Sequence, residues 1–122
     1  MDVNEIIRKV NNSVDELEFA TARIYIEENM DLLIENKNKL KSNAREILNF
    51  LQNRNDTGEK PLTKIEMSKI NTINMYASKF DVRGIKLCVK GNEQLLLKKE
   101  VINFLNADAK IILEGMGAIK KD

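Results

Sequence analysis

Apolar residues recur along this chain at the three- and four-residue intervals of an α-helix, and no alternating strand pattern rises above these intervals. The first apolar stretch follows Asp2, which forms an N-terminal capping pair with Glu5. Ser13 and Glu16 repeat the capping pattern. The N-terminal part of the chain is therefore expected to form a short helix and then a long one over residues 14–34.

Capping pairs also precede the later helices. Asn43 is followed after three residues by Glu46, and Thr63 by Glu66, each ahead of an apolar stretch. Gly91 is expected to end a helix, because glycine readily adopts the left-handed conformation that follows a helical C-terminus. These signals place helices on both sides of the middle of the chain.

The pattern as a whole predicts an all-α protein, a compact bundle of about five to seven helices forming a single domain over residues 1–122. Its last two helices are expected over 93–105 and 107–114. The stretch 53–61 holds a glycine and the only proline among polar residues, which is typical of a loop. This loop would join two halves, residues 1–52 and 62–122.

A short pattern occurs twice, as REILNFLQ and KEVINFLNA, at an interval of 54 residues. Aligning residues 33–51 with 87–105 gives six identities and further conservative pairs. Ile47, Phe50 and Leu51 would share one helical face, as would the corresponding Val101, Phe104 and Leu105. The repeat indicates either two related α-hairpins or the chance recurrence of common residues on amphipathic helices.

Composition favours a protein of the cytoplasm. The amino terminus carries no apolar segment followed by a small-residue cleavage site, and no apolar run approaches the roughly 20 residues that a bilayer requires. A lone cysteine, Cys88, cannot form an internal disulfide and fits a reducing compartment. The usage of Lys, Asn and Ile is that of an AT-rich coding sequence, as in low-GC bacteria or their phages.

The chain lacks the residues that most catalytic and cofactor sites need. It has no histidine, one cysteine and no glycine-rich phosphate-binding motif. A thiolate metal cage and a calcium loop are equally absent from the sequence. We therefore expect no catalytic, cofactor-binding or metal site, and a protein that is not an enzyme.

Charge is divided unevenly along the chain, whose total is +1. Residues 1–36 carry nine acidic and three basic side chains, a balance of −6, and the rest carries +7. Within the first part Glu27, Asp31 and Glu35 fall on one helical face at intervals of four residues, with Glu28 on its flank. This acidic stripe is interpreted as a solvated face, as a docking surface for a basic partner or, less readily, as part of a metal site.

A basic ridge is expected in the second part, because Lys79, Arg83, Lys86 and Lys90 are spaced by 4, 3 and 4 residues. It requires a helix that continues through Asp81. The stretch 77–90 also has some features of a DNA-binding helix-turn-helix, with Ala77 where two helices meet, Val82 at the turn and Leu87 inside the second helix. It departs from that pattern in placing Asp81 at the turn and Lys90 at a position that is normally apolar.

These observations favour a small non-enzymatic cytoplasmic protein that acts by binding another protein or itself, as a regulator, inhibitor or adaptor. The alternative is a transcriptional regulator that binds DNA through residues 77–90. Four phosphate contacts would give a salt slope of only about −3 to −4, so that a DNA-binding form would need to be a dimer.

Overall fold

The computed structural model describes residues 2–57 and 61–120, and within them the side chains of all but 55–57. The part of the chain so described contains α-helices and no strand, which confirms the all-α prediction. It contains nine α-helices, more than the five to seven expected. They are α1 (Val3–Asp15), α2 (Phe19–Glu28), α3 (Met30–Glu35), α4 (Ser42–Thr57), α5 (Lys64–Ser78), α6 (Val82–Val89), α7 (Glu93–Leu97), α8 (Val101–Phe104) and α9 (Ala107–Met116).

The extra helices arise because two predicted helices are interrupted. The helix expected over 14–34 is wrong in its bounds, since α1 runs on through Ser13 and the chain reverses at Leu17, whose φ is +62°. Asn29 then separates α2 from α3, and its side-chain amide donates to the Tyr25 carbonyl at 2.9 Å. Likewise the helix expected over 93–105 divides into α7 and α8.

Several predicted helix ends are confirmed. The Asp2 carboxylate accepts a hydrogen bond from the Glu5 amide at 2.9 Å and caps α1. Thr63 and Glu66 form a reciprocal capping box at the start of α5. Gly91 has φ of +85° just after α6, as a left-handed terminator requires.

The loop predicted over 53–61 is shorter than expected, because α4 continues to Thr57. Residues 58–60, which include Gly58, lie outside the described residues. After them Pro61, Leu62 and Thr63 lead into α5, and the Leu62 amide donates to the Glu100 carboxylate at 3.2 Å.

The two copies of the repeated pattern differ in structure. The first lies in the continuous helix α4, whereas the second begins two residues before α8 and ends at the first residue of α9. Their core positions agree, because Ile47 and Leu51 are buried and so are the corresponding Val101 and Leu105. Phe50 is half-buried and Phe104 is largely exposed, so the copies do not form equivalent wedges.

One apolar core holds the helices together. Phe19, the largest fully buried side chain of the described residues, belongs to it together with residues of every α-helix. Helix α7 packs against α2 and α4, and α4 also packs against α1, so the two predicted halves share this core.

A polar contact also joins α5 to the segment between α7 and α8. The Glu66 carboxylate accepts from the Lys98 ammonium at 2.7 Å as well as from the Thr63 amide. Burial opposes ionisation of this carboxyl group, but the hydrogen bonds from Lys98 and Thr63 prevail and lower the pKa of Glu66. The start of α5 is therefore tied both to its own cap and to Lys98.

If Phe19 is the centre of the core, Phe19→Ala should lower the free energy of unfolding by about 3–5 kcal/mol, the usual loss for a fully buried phenylalanine. Phe104→Ala is the matched control. Because the Phe104 side chain is 45% exposed, the control should lose about 1 kcal/mol or less. Urea denaturation measures both values, and equal losses would contradict this account of the core.

Candidate functional site

Helix α5 ends in a tight turn whose left-handed residue is a phenylalanine. The Asp81 amide donates to the Tyr76 carbonyl and the Phe80 amide to the Ala77 carbonyl, both at 2.9 Å, which is the Schellman arrangement. Phe80 has φ of +53°, at the position that glycine usually holds. A bulky residue in this conformation costs about 1–2 kcal/mol of backbone strain.

Leu17 occupies the equivalent position after α1 and has φ of +62°. Its side chain is half-buried and packs against the core, which offsets the strain. The Phe80 side chain is 70% exposed and is not part of the core. Among the described residues, therefore, packing against the core does not offset the strain at Phe80.

Helix α6 begins directly after this turn and lies close against α5. The Asp81 carboxylate caps it by accepting from the Gly84 amide at 2.9 Å. Gly84 is buried, and a Cβ atom there would stand 2.6 Å from the Tyr76 ring. The absence of a side chain at Gly84 thus permits the close approach of the two helices.

The outer side of α6 forms a surface in which apolar and basic residues are mixed. Of its residues, Gly84, Ile85 and Val89 are buried, and the helix packs mainly against α5. Phe80, Val82 and Leu87 are 70%, 40% and 72% exposed. We call this surface the α6 face and define it by Lys79, Phe80, Val82, Arg83, Lys86, Leu87 and Lys90.

The predicted basic ridge is only partly reproduced. Lys79 ends α5 and Asp81 begins α6, so the four basic residues do not follow one unbroken helix. All four are nevertheless exposed. No described acidic side chain forms an ion pair with any of them. The α6 face therefore carries four cationic groups without an acidic partner from the described chain.

Sequence reasoning missed the apolar members of this surface. Leu87 was expected inside the second helix of a helix-turn-helix, and Phe80 was given no role in binding. The signal that could have located Phe80 is its place two residues after the last residue of α5, where the chain reverses and glycine is usual.

The acidic stripe lies on α2 and α3, on either side of Asn29. Glu27 is engaged within the chain, with its Oε1 atom 2.5 Å from Arg23 Nε and 3.7 Å from an Arg54 Nη atom. Glu28, Asp31 and Glu35 are exposed, and none forms an ion pair with a described basic side chain. In the described chain, no three or more acidic, histidine or cysteine side chains come together as metal ligands would.

A groove of about 400 Å³ opens between α2 and the end of α7. Its apolar lining includes Ala20, Ile24, Leu96, Leu97 and Ile102. On the α2 side its charged residues are Arg23 and Glu27, which pair with each other. The groove therefore adjoins the acidic stripe at the Ile24 end.

Two further side chains that could react or titrate, Glu93 and Cys88, belong neither to the α6 face nor to the acidic stripe. Glu93 is only 2% exposed, and one of its carboxylate oxygens accepts from the Gly91 amide at 3.1 Å. Cys88 is half-buried against the core, and burial raises the pKa of its thiol. Neither group is joined by a second reactive side chain of the kind that nucleophilic catalysis uses.

The strain at Phe80 predicts a gain in stability when it is replaced. Phe80→Gly should raise the free energy of unfolding by about 1 kcal/mol, because glycine adopts a positive φ without a clash. Leu17→Gly is the control, and there the loss of packing of a half-buried side chain, about 1–2 kcal/mol, offsets the relief. The change in the free energy of unfolding, measured by urea denaturation, should therefore differ between the two variants in direction or size. A Phe80→Gly protein that is less stable than the unaltered chain would contradict backbone strain at Phe80.

Among the described residues no helix has the length and apolar character needed to cross a membrane. Comparison of the chain with models of protein families, with characterised proteins and with solved structures gave no significant match.

Proposed function

We propose that this chain is a non-enzymatic interaction protein that binds another protein through its α6 face and acts as a regulator, inhibitor or adaptor. The observation that carries the proposal is the exposure of Phe80, Val82 and Leu87 beside four cationic side chains. The residues that form the surface contribute little to the core, and Phe80 costs backbone strain.

The chemistry of the α6 face is that of a protein contact. Interfaces gain most of their free energy from a few buried side chains, among which aromatic residues and arginine are enriched. Phe80 and Arg83 are residues of this kind and lie three positions apart. The cationic side chains around them would favour an acidic partner surface and speed the encounter with it.

The remaining features agree with an interaction role in the cytoplasm. The half-buried thiol of Cys88 suits a reducing compartment. Carboxylate and lysine groups are able to catalyse reactions in other proteins. In the described structure such groups either form ion pairs within the chain, as Glu27 and Glu66 do, or lie on helix surfaces.

The second candidate function is DNA binding through α6. A turn of three residues, 79–81, joins α5 to α6, and the first, second, fifth and sixth residues of α6 are exposed. A recognition helix presents these positions to the major groove. In this chain they are Val82, Arg83, Lys86 and Leu87, none of which is acidic.

The α6 face predicts a charge-dependent capture of partners. With the tagged protein as bait in an extract of its native cells, Arg83→Glu combined with Lys86→Glu should reduce the recovered partner about tenfold or more. Two reversed charge contacts correspond to at least about 1.4 kcal/mol, which is tenfold in affinity. Quantitative mass spectrometry of the captured proteins measures the change.

The matched control for this capture is Lys39→Glu combined with Lys64→Glu, an equal change of charge at exposed positions outside the α6 face. It should capture as much partner as the unaltered chain. Circular dichroism of all three proteins verifies that they fold. Equal capture by all three would remove the α6 face from the proposal.

DNA binding predicts a different result. A fluorescent 20-base-pair duplex at 50 mM salt should then be bound at tens of micromolar protein or less, with a log–log salt slope of about −3 to −4 for the four phosphate contacts of one chain and about twice that for a dimer. Fluorescence anisotropy measures both quantities. If no anisotropy change occurs at 100 µM protein, the DNA-binding candidate is excluded.

A further inference from the structure

We propose that the α6 face binds a second copy of this chain, head to tail, on the surface formed by Ile24, Glu28, Asp31 and Glu35 at the edge of the α2–α7 groove. This inference rests on the proposed function, since it uses the same α6 face as the binding surface. It adds a second copy of the chain as an acidic partner of that face.

The two surfaces carry opposite charge. The chain is nearly neutral overall but carries −6 in residues 1–36 and +7 in the remainder. Part of this difference is already satisfied within the fold, where Lys41 pairs with Asp15 at 2.5 Å and Arg54 approaches Glu27. The α6 face and the stripe residues after Glu27 have no such pairing among the described residues. Each of these two surfaces therefore presents the charge that the other lacks.

The charged residues of the two surfaces have the same spacing along the chain. Glu28, Asp31 and Glu35 follow one another at intervals of three and four residues, and so do Arg83, Lys86 and Lys90. At a rise of about 1.5 Å per residue the basic set extends over roughly 10 Å, and the acidic set covers the same number of residues across the break at Asn29. Aligned in the same direction, the two sets bring three cationic groups opposite three carboxylates.

Each of the two surfaces also has an exposed apolar residue at one end. Ile24 lies one turn before Glu28, is 56% exposed and lines the groove. Phe80 lies three residues before Arg83 and is the exposed apolar residue at the corresponding end of the α6 face. The same alignment therefore places the Phe80 ring at the mouth of the groove, whose volume of about 400 Å³ exceeds that of a phenylalanine side chain.

Four cationic side chains line the groove: Arg23, Lys98, Lys99 and Lys120. Lys99 and Lys120 lie after α7 and after α9, and not on the helices that carry the acidic stripe. Arg23, on the α2 side of the groove, is paired with Glu27. The Lys98 ammonium, whose side chain is 10% exposed, is held by Glu66. The contact joins two different surfaces, so in a bound pair one copy keeps a free acidic surface and the other a free α6 face, and each can bind a further copy.

The mass of the purified protein in solution tests the proposal. Sedimentation equilibrium from 10 to 500 µM at 50 mM salt should give a mass above that of one chain, rising with concentration. At 500 mM salt the association should weaken about tenfold or more, because exposed charges are then strongly screened. A mass of one chain throughout the range at 50 mM salt would overturn the proposal.

Two charge-reversed proteins identify the surfaces. The first combines Arg83→Glu with Lys86→Glu, and the second combines Glu28→Lys with Glu35→Lys. Glu28 and Glu35 end α2 and α3, where lysine favours the helix dipole and should not disturb folding. Each protein alone should remain a monomer. An equimolar mixture should associate again, because the unaltered surface of each protein meets the unaltered surface of the other and the two reversed surfaces carry opposite charges as well.

A third variant tests the apolar anchor. Phe80→Gly should reduce self-association about tenfold or more although it is at least as stable as the unaltered chain. The matched control, Ile111→Ser, removes an equally exposed apolar side chain on α9 and should leave association unchanged. Equal association of the two variants would show that Phe80 is not at the contact.

The outcomes separate this inference from the proposed function. If the charge-reversed proteins still associate, or if their mixture stays monomeric, the head-to-tail contact is wrong. A monomeric unaltered chain whose capture of another protein is lost in Arg83→Glu, Lys86→Glu would reject self-binding and retain the proposed function. Self-association without charge-dependent capture of any other protein would reject the heterologous partner alone.

Discussion

The structure depends on the burial of one apolar face of each short helix in a common core. Isolated helices shorter than about 12–15 residues are marginally stable in water, and most of the described helices are shorter than this. Their stability must therefore come from packing around residues such as Phe19 and Ile26, which are fully buried. This requirement explains why the chain reverses so often, since each reversal returns an apolar face to the same interior.

Chain reversal also accounts for the surface to which we assign function. Leu17 and Phe80 both adopt the left-handed conformation that a tight helix end demands. Leu17 returns its side chain to the core, whereas Phe80 projects into solvent at the start of α6. Because α6 packs mainly against α5, its outer side is left with the apolar and basic residues of the α6 face.

Some charged side chains are paired within the fold and others are not. Asp15, Glu27 and Glu66 meet basic side chains within the fold, and hydrogen bonds from Lys98 and Thr63 lower the pKa of Glu66. Among the described residues, the outer cations of α6 and the exposed carboxylates of α2 and α3 form no ion pair. A contact between copies would pair groups that folding alone leaves in water.

The sequence by itself determined the fold class, several helix ends and much of the core, because helical periodicity and capping act over three or four residues. Asp2, Thr63 and Gly91 were identified in this way, and so were the buried positions shared by Ile47 and Val101. Only the tertiary structure decided where a periodic stretch breaks. Local patterning continues through Leu17, and the core alone makes its left-handed conformation favourable. Local patterning also cannot distinguish the buried Ile85 from the exposed Leu87. The close approach of α5 and α6 at Gly84 decides which side of α6 meets α5.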